Sequence, residues 1–323
     1  MAMNVVTVFG GSGFVGRHVV KRLAQTGVRV RVAVRRPEKA LFLRPMGDVG
    51  QVELVQANIR DDASVAAAVE GADAVINLVG ILYESGHQKF AETHAKGAAR
   101  VATASAVARV QRFVHISAIG ADEKSRSVYA RTKADGEAQV RAAFPNATVI
   151  RPSLLFGPDD DFFNRFASIA RLIWVMPLVG TGKTRFQPAH VGDVAAAIVA
   201  AVQDPENIAR TFELGGPNVY TYRQLMELVL NACARKRILV PVPPQILKIW
   251  AWFLQMLPSP LLTVDQVNML LGDNLVAHDV AGFSDLGITP VSAEVILPTY
   301  LWRFRPAGQF TAPGTHSGHQ GEA

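Results

Sequence analysis

The stretch Val5-Val6-Thr7-Val8-Phe9-Gly10-Gly11-Ser12-Gly13-Phe14-Val15-Gly16 decides the fold, because an apolar run breaks into glycines and resumes as the amphipathic stretch Arg17 to Gln25. The order reads as strand, turn and helix. A backbone that must bend tightly, approach a pyrophosphate and then pack a helix onto a strand needs residues without Cβ at three points, here Gly10, Gly13 and Gly16. The free N–H groups of the turn and helix start, on Gly11, Ser12, Gly13, Phe14 and Val15, then face the phosphates of a dinucleotide. The glycine spacing is Gly-x-x-Gly-x-x-Gly, not the Gly-x-Gly-x-x-Gly of ordinary dinucleotide folds, so the strand–turn–helix context carries as much of the reading as the glycines do.

Working outward, 323 residues are enough for a main domain and a smaller C-terminal one. We expect a nucleotide-binding core over 1–150, a mixed segment over 151–306 that completes the cleft and forms the C-terminal lobe, and a disordered tail over 307–323, where glycine, proline and polar residues dominate. With 49% hydrophobic and 19% charged residues the composition is that of a globular protein, and no segment reads as a signal peptide or a spanning helix. The net charge of +6 comes from scattered basic residues with no run long enough for a nucleic-acid patch. A single cysteine, Cys233, cannot form an internal disulfide, and no Cys/His spacing suggests a metal site. These features lead us to expect a cytoplasmic protein.

The second strand, Val28 to Val34, alternates apolar and basic residues and ends at Arg35-Arg36-Pro37. At this position an acidic residue binds the free 2′-hydroxyl of NAD, whereas arginine accommodates the 2′-phosphate of NADP. Two guanidinium groups and no acid favour NADP(H) over NAD(H). A third strand, Val52 to Ala57, leads into Asn58-Ile59 and a short helix over Ala63 to Glu70. The continuous apolar run Ala74-Val75-Ile76-Asn77-Leu78-Val79-Gly80 is that of a strand covered on both faces, with Asn77 and Gly80 at the carboxyl edge where such sheets bind ligands. Phe90 to Val107 reads as a helix and Arg112 to Ser117 as a further strand. Five alternations of strand and helix predict an α/β doubly wound parallel sheet.

Ser117 is followed by Tyr129-Ala130-Arg131-Thr132-Lys133. Tyrosine and lysine four apart share one helix face, and an ammonium beside a phenol favours the phenolate, which would lower the Tyr129 pKa and suit it to general acid–base work. Ser117, at the carboxyl end of its strand, could hydrogen-bond a substrate carbonyl. The set suits redox chemistry between carbonyl and alcohol.

From Val5 to Gly216 the chain resembles the short-chain dehydrogenase/reductase superfamily in its extended and atypical branches. The motifs are Gly10/Gly13/Gly16, Asn58-Ile59, Asn77-Leu78-Val79-Gly80, Ser117, Tyr129/Lys133 and Arg151-Pro152-Ser153-Leu154-Leu155-Phe156-Gly157-Pro158. The resemblance implies Ser117, Tyr129 and Lys133 as catalytic triad, with Lys133 also on the nicotinamide ribose. It further implies nucleotide contacts from Asn58, Ile59, Leu78, Val79 and Gly80, and a nicotinamide pocket lined after Arg151, Pro152 and Leu154. Two positions depart from the pattern: Asn58 replaces the aspartate that usually accepts from adenine, and His94 stands where extended members often carry a helix asparagine. Asn58 can still accept through its amide oxygen. His94 reads better as a core or surface histidine than as a catalytic one.

More narrowly, the chain is similar to the nucleotide-binding accessory subunit family of respiratory complex I and its alphaproteobacterial relatives. That similarity rests on Asn4 to Gly11, Asn77 to Glu84, Phe156 to Phe166, Arg185-Phe186-Gln187-Pro188 and Tyr300 to Arg305. It implies a tightly held NADPH with a structural or regulatory role. The alternative is an active NADPH-dependent reductase, dehydrogenase or epimerase using the Ser–Tyr–Lys set on a hydrophobic carbonyl, alcohol or quinone precursor. In the C-terminal portion, Thr221 to Asn231 reads as a helix with Thr221 as N-cap. The stretch Ile246 to Leu257, with two tryptophans and only Lys248 and Gln255 polar, reads as lobe core or as a contact surface for a respiratory complex or a membrane.

Overall fold

In the computed structural model, which describes residues 3–257 and 260–310, the glycine turn joins β1 (Val5–Phe9) to α1 (Phe14–Gln25). The chain continues through β2 (Arg29–Val34), β3 (Val52–Gln56), α2 (Asp62–Val69) and β4 (Ala74–Asn77). A π-helical turn (Ala91–Lys96) then runs into α3 (Gly97–Val107), followed by β5 (Arg112–Ile116), α4 (Val128–Ala143) and β6 (Thr148–Pro152). After β6 the chain leaves the sheet for β7 (Leu155–Phe156), α5 (Phe162–Leu172), β8 (Val175–Val179), β9 (Arg185–Phe186) and β10 (Ala189–His190). It returns with α6 (Val191–Gln203) and β11 (Thr211–Leu214). It leaves again through β12 (Tyr220–Thr221), α7 (Tyr222–Ala232), β13 (Ile238–Val242), α8 (Pro244–Leu254), α9 (Val264–Leu270) and α10 (Ala293–Leu301).

Seven of these strands form one sheet in the order β11-β6-β5-β4-β1-β2-β3, and every neighbouring pair is parallel. This is the doubly wound sheet that the alternation of elements predicts. Its strands are apolar on both faces because both are covered, Val6 and Val8 by α1 and α6, Phe9 and Val75 by the layer of α2, α3 and α4. Strand order reverses between β1 and β4, so the Gly10 turn and the Leu78–Gly80 segment emerge side by side at the same edge. An open α/β sheet binds its ligands at this reversal.

The second core belongs to the C-terminal lobe. Phe156, Phe163, Met176, Leu178, Tyr222, Met226, Leu297 and Leu301 pack there with under one tenth of their surface exposed. The lobe takes its residues from before and after α6 and β11, so segment 151–306 contributes to both the sheet and the lobe. Thr221 caps α7 in a reciprocal capping box with Gln224, as its position in the sequence suggests. The core reading of Ile246 to Leu257 fails. In α8 only Leu247 and Ala251, one turn apart, are buried; Ile249, Trp250, Trp252 and Phe253 are all exposed, Phe253 by 61%. An eleven-residue helix that touches its lobe along one edge cannot bury apolar side chains all round. The tail reading falls mostly on residues 311–323, which lie outside the described residues; Gly308–Phe310 form a 3-10 turn.

Candidate functional site

Gly10 has φ +78°, and a Cβ there would meet the Leu78 carbonyl and the Val79 amide at 3.1–3.2 Å. At Gly16 a Cβ would stand 2.3 Å from the Gly10 carbonyl oxygen, so helix and strand can lie this close only with glycine in that place. The turn closes through Gly13 N donating to Gly10 O over 3.0 Å. α1 starts with no side-chain cap and no acid in its first turn. An uncapped helix start over a turn with glycine at 10, 11, 13 and 16 fits a pyrophosphate. Arg35 and Arg36 follow the last residue of β2, both exposed and, among the described residues, without an ion-pair partner. Asn58 stands at the end of the neighbouring β3, its Oδ1 accepting from the Arg60 amide with one lone pair left. Ile59 beside it is buried.

The Ser117, Tyr129 and Lys133 set lies on the same edge. Ser117 is buried, and among the described residues its Oγ has no hydrogen-bond partner. Lys133 is buried on α4 with Nζ donating to the Ile116 carbonyl at 3.0 Å, and it stands beside Gly80, where a Cβ would lie 3.4 Å from Nζ. The expected lowering of the Tyr129 pKa by Lys133 is not found. The ammonium is held by main chain 5.9 Å from the tyrosine ring, and burial pushes the phenol up to about 12. Burial likewise brings Lys133 down to about 8, against the pull of Glu137. In this arrangement the Tyr129 phenol keeps its proton at neutral pH.

His94 is a core histidine, one of the two readings its sequence position allows. It lies on the π-helical turn, stacked on Phe90 and edge-on to Tyr129 with centroids 5.1 Å apart. Its Nε2 accepts from the Ile81 amide at 3.1 Å, which puts the ring proton on Nδ1, facing Thr132 Oγ1 at 3.1 Å. Thr132 in turn donates to the Tyr129 carbonyl. Burial and the Lys133 charge drive the His94 pKa to about 2, so it stays neutral and works as a fixed strut between the edge of β4 and the tyrosine. Contact is this close because α4 has Gly136 against the turn, where a Cβ would fall 2.1 Å from the His94 carbonyl oxygen. His115 is buried too, with Nδ1 3.4 Å from Asn77 Nδ2 and, among the described residues, no partner for Nε2.

The Arg151 guanidinium is engaged by two carboxylates. It pairs bidentately with buried Glu137 at 2.9 and 2.7 Å and reaches Glu213 at 3.3 Å, tying α4, β6 and β11 together. Pro152 and Leu154 contribute main chain: Pro152 O accepts from Ile119 N, and Leu154 N donates to Asn274 Oδ1 at 3.0 Å. Sequence reasoning missed three residues. Asn274 holds Ser153 and Leu154 and also donates to Ile119 O. Asp265 accepts from Ser127 Oγ and from the Val128 and Tyr129 amides. Asp160 accepts from the Phe163 amide and the Tyr300 hydroxyl. Each acts across 120 or more positions of sequence or through a buried carboxylate in a loop, and only Thr263-Val264-Asp265-Gln266, a capping sequence, could have drawn attention. Among the described residues no group of three or more His, Cys, Asp or Glu is arranged to hold a metal ion, and no helix is long and apolar enough to cross a membrane.

A parallel sheet with a glycine-rich phosphate cradle at its reversal and a Ser–Tyr–Lys set on the same edge defines a nicotinamide-nucleotide-binding Rossmann protein. Residues 6–215 match the model of the NAD dependent epimerase/dehydratase family, and the chain belongs to that family. Its curated relatives include the mouse (Mus musculus) mitochondrial NADH dehydrogenase [ubiquinone] 1 alpha subcomplex subunit 9, 37% identical over 93% of this chain and 80% of that one. The Neurospora crassa NADH-ubiquinone oxidoreductase 40 kDa subunit is 33% identical over 96% and 82%. A Caulobacter vibrioides ceramide reductase is 33% identical over 75% and 74%. Among solved structures, the Escherichia coli NADPH-dependent quinone oxidoreductase QOR2, complexed with NADPH, superposes with a TM-score of 0.72 at 19% identity, over 92% of this chain and 98% of that one. MoeE5, in complex with UDP-glucose and NAD, superposes at 0.68 with 16% identity, over 92% and 97%. Both have the same fold, one with each nucleotide.

Proposed function

We propose that this protein is an NADP(H)-binding accessory or assembly-type protein of respiratory complex I or a related quinone-linked membrane assembly, in which the nucleotide is mainly structural. The observation that carries this reading is the apolar face of the C-terminal lobe. Trp174 is exposed by 76%, Ile238 and Val240 face solvent on β13, which pairs with β8, and α8 adds Ile249, Trp250, Trp252 and Phe253. Faces of this kind mark contact sites. Segments 165–183 and 235–257 carry seven cations, Arg165, Arg171, Lys183, Arg235, Lys236, Arg237 and Lys248, and no Asp or Glu. That charge suits an acidic partner or an anionic membrane surface. The relatives among complex I subunits point the same way. The location that follows is cytoplasmic, peripheral at the cytoplasmic face of the inner membrane.

Gly10, Gly11, Ser12, Gly13, Phe14, Val15 and Gly16 would hold the pyrophosphate, Arg35 and Arg36 the 2′-phosphate, and Asn58 and Ile59 the adenine. Leu78, Val79, Gly80, Lys133, Pro152 and Leu154 would line the nicotinamide half. The purified protein should retain NADPH, fail to turn over a panel of carbonyls and quinones, and co-purify with complex I or membranes. Robust turnover abolished by Tyr129→Phe, with no such association, sinks the reading. Arg35→Ala with Arg36→Ala should weaken NADPH more than NADH; equal weakening would contradict the 2′-phosphate assignment.

A second reading, an NADPH-dependent reductase, is favoured by one observation: Ser117 Oγ is buried and, among the described residues, unpartnered next to an intact Tyr129 and Lys133. Bound NADPH would supply hydride, Ser117 would donate to a substrate carbonyl oxygen, and Tyr129 would give it a proton. A ceramide reductase among the relatives agrees with a hydrophobic substrate.

A further inference from the structure

Residues 157–161 lie across the first turn of α1. The Phe14 ring comes within 3.4–3.6 Å of where a Gly157 Cβ would stand, and the same Cβ would meet Val191 at 2.6 Å, so glycine lets the loop pass low between α1 and α6. Two residues on, Asp159 Oδ2 accepts from Arg17 at 2.7 Å. Arg17 sits one turn past Gly13, with Nε 3.4 Å from the Gly13 carbonyl, and its guanidinium lies 5.5 Å from the Phe42 ring centroid. One side chain thus touches the phosphate turn, the segment that follows Arg35 and Arg36, and the loop from the C-terminal lobe.

The loop is well anchored behind this contact. Asp160, buried, accepts from the Gly157, Phe163 and Asn164 amides and from the Tyr300 hydroxyl at 2.5 Å, while Arg303 donates to the Pro158 carbonyl and to Asn164 Oδ1. Held from α10, the loop acts as a firm strap over the helix start.

We propose that Arg17 and Asp159 form a latch that slows release of the dinucleotide from the glycine turn. The inference rests on the nucleotide reading above and adds residues that neither the glycine pattern nor the catalytic set includes. A pyrophosphate on the Gly10–Gly16 turn is covered by Phe14, Arg17 and the strap, and it leaves when Arg17 lets go of Asp159. The competing role for Arg17 is direct pairing with phosphate, in which case Asp159 draws the guanidinium away from the ligand. The two roles predict opposite signs for loss of the Asp159 charge.

The test uses the full chain loaded with NADPH, mixed with excess NADP+ and followed by loss of bound-NADPH fluorescence. Asp159→Asn should release NADPH about two- to five-fold faster, the range an exposed ion pair commands, while Asp159→Glu stays near wild type. Raised ionic strength should speed release from wild type more than from Asp159→Asn, because the contacts of Arg35 and Arg36 with the 2′-phosphate are screened in both. Asp159 is about half exposed, so the substitution leaves the core intact, and a thermal unfolding midpoint equal to that of wild type checks this. Unchanged or slower release from Asp159→Asn overturns the latch alone. A wild-type protein that takes up no NADPH overturns the nucleotide reading and the latch together.

Discussion

The Tyr129 amide donates to Asp265 Oδ2 at 3.1 Å, across 136 positions of sequence. The same carboxylate accepts from the Val128 amide at 2.7 Å and the Ser127 hydroxyl at 2.8 Å, so a residue of α9 caps the helix that carries Tyr129 and Lys133. Capping carboxylates satisfy orphan amides and complement the helix dipole. Asp265→Ala should destabilise the protein by about 1–2 kcal/mol in urea unfolding, because Ser127 still caps Ala130. Its effect and that of Ser127→Ala should be less than additive; full additivity would mean that the two caps are independent.

Arg151 neutralises two carboxylates that have almost no access to water, Glu137 and Glu213. Arg151→Met leaves like charges buried near one another and should cost about 3–5 kcal/mol at neutral pH. Adding Glu137→Gln to that variant should recover a large part of the loss. No recovery would show that Arg151 acts through packing.

Lys133 supplies a pH signature. Its ordinary value of 10.5 falls to about 8 in the folded chain, mainly through burial. Below pH 8 both states carry the ammonium, and the cost of burying it, about 3 kcal/mol at most for such a shift, is fully present. Between pH 8 and 10.5 the folded chain sheds its proton first, so that cost fades as pH rises. Chemical unfolding of wild type and Lys133→Met across this window should therefore show wild type gaining on the variant. A constant gap would mean that Lys133 is not desolvated.

Gly16 and Gly13 separate close packing from turn geometry. A Cβ at Gly16 would overlap the Gly10 carbonyl at 2.3 Å, whereas at Gly13 it would stand at 3.2 Å from the same oxygen. Gly16→Ala should cost more than about 2 kcal/mol and lower the yield of folded protein, and Gly13→Ala should cost less than half as much. Equal losses would show that helix–strand contact is not the reason for glycine at position 16.

Much of the fold was legible because local sequence dictated it. Val5 to Gly16 contains strand, turn and helix start in consecutive residues, and the run Ala74 to Asn77 is apolar throughout because both faces of β4 are covered. α1 nevertheless begins at Phe14, three residues before its amphipathic pattern, because the extended Gly13 ends the turn there. Ser117, Tyr129 and Lys133 were also legible, as a serine at a strand end and a helical pair. The protonation of Tyr129 was not. A spacing of four residues says that Lys133 and Tyr129 share a helix face but not that Nζ goes to the Ile116 carbonyl.

Sequence alone determined the parallel sheet, the glycine cradle, the two arginines after β2 and the identity of the residues at the sheet edge, because strand and helix periods and glycine requirements are local properties. Tertiary structure alone decided that His94 braces Tyr129, that Arg151 serves Glu137 and Glu213, that Asp265 caps α4 and that α8 turns its tryptophans outward. Those outcomes depend on which elements meet after the chain closes on itself. Burial and charge pairing between residues 14 to 136 positions apart leave no local trace in the order of amino acids.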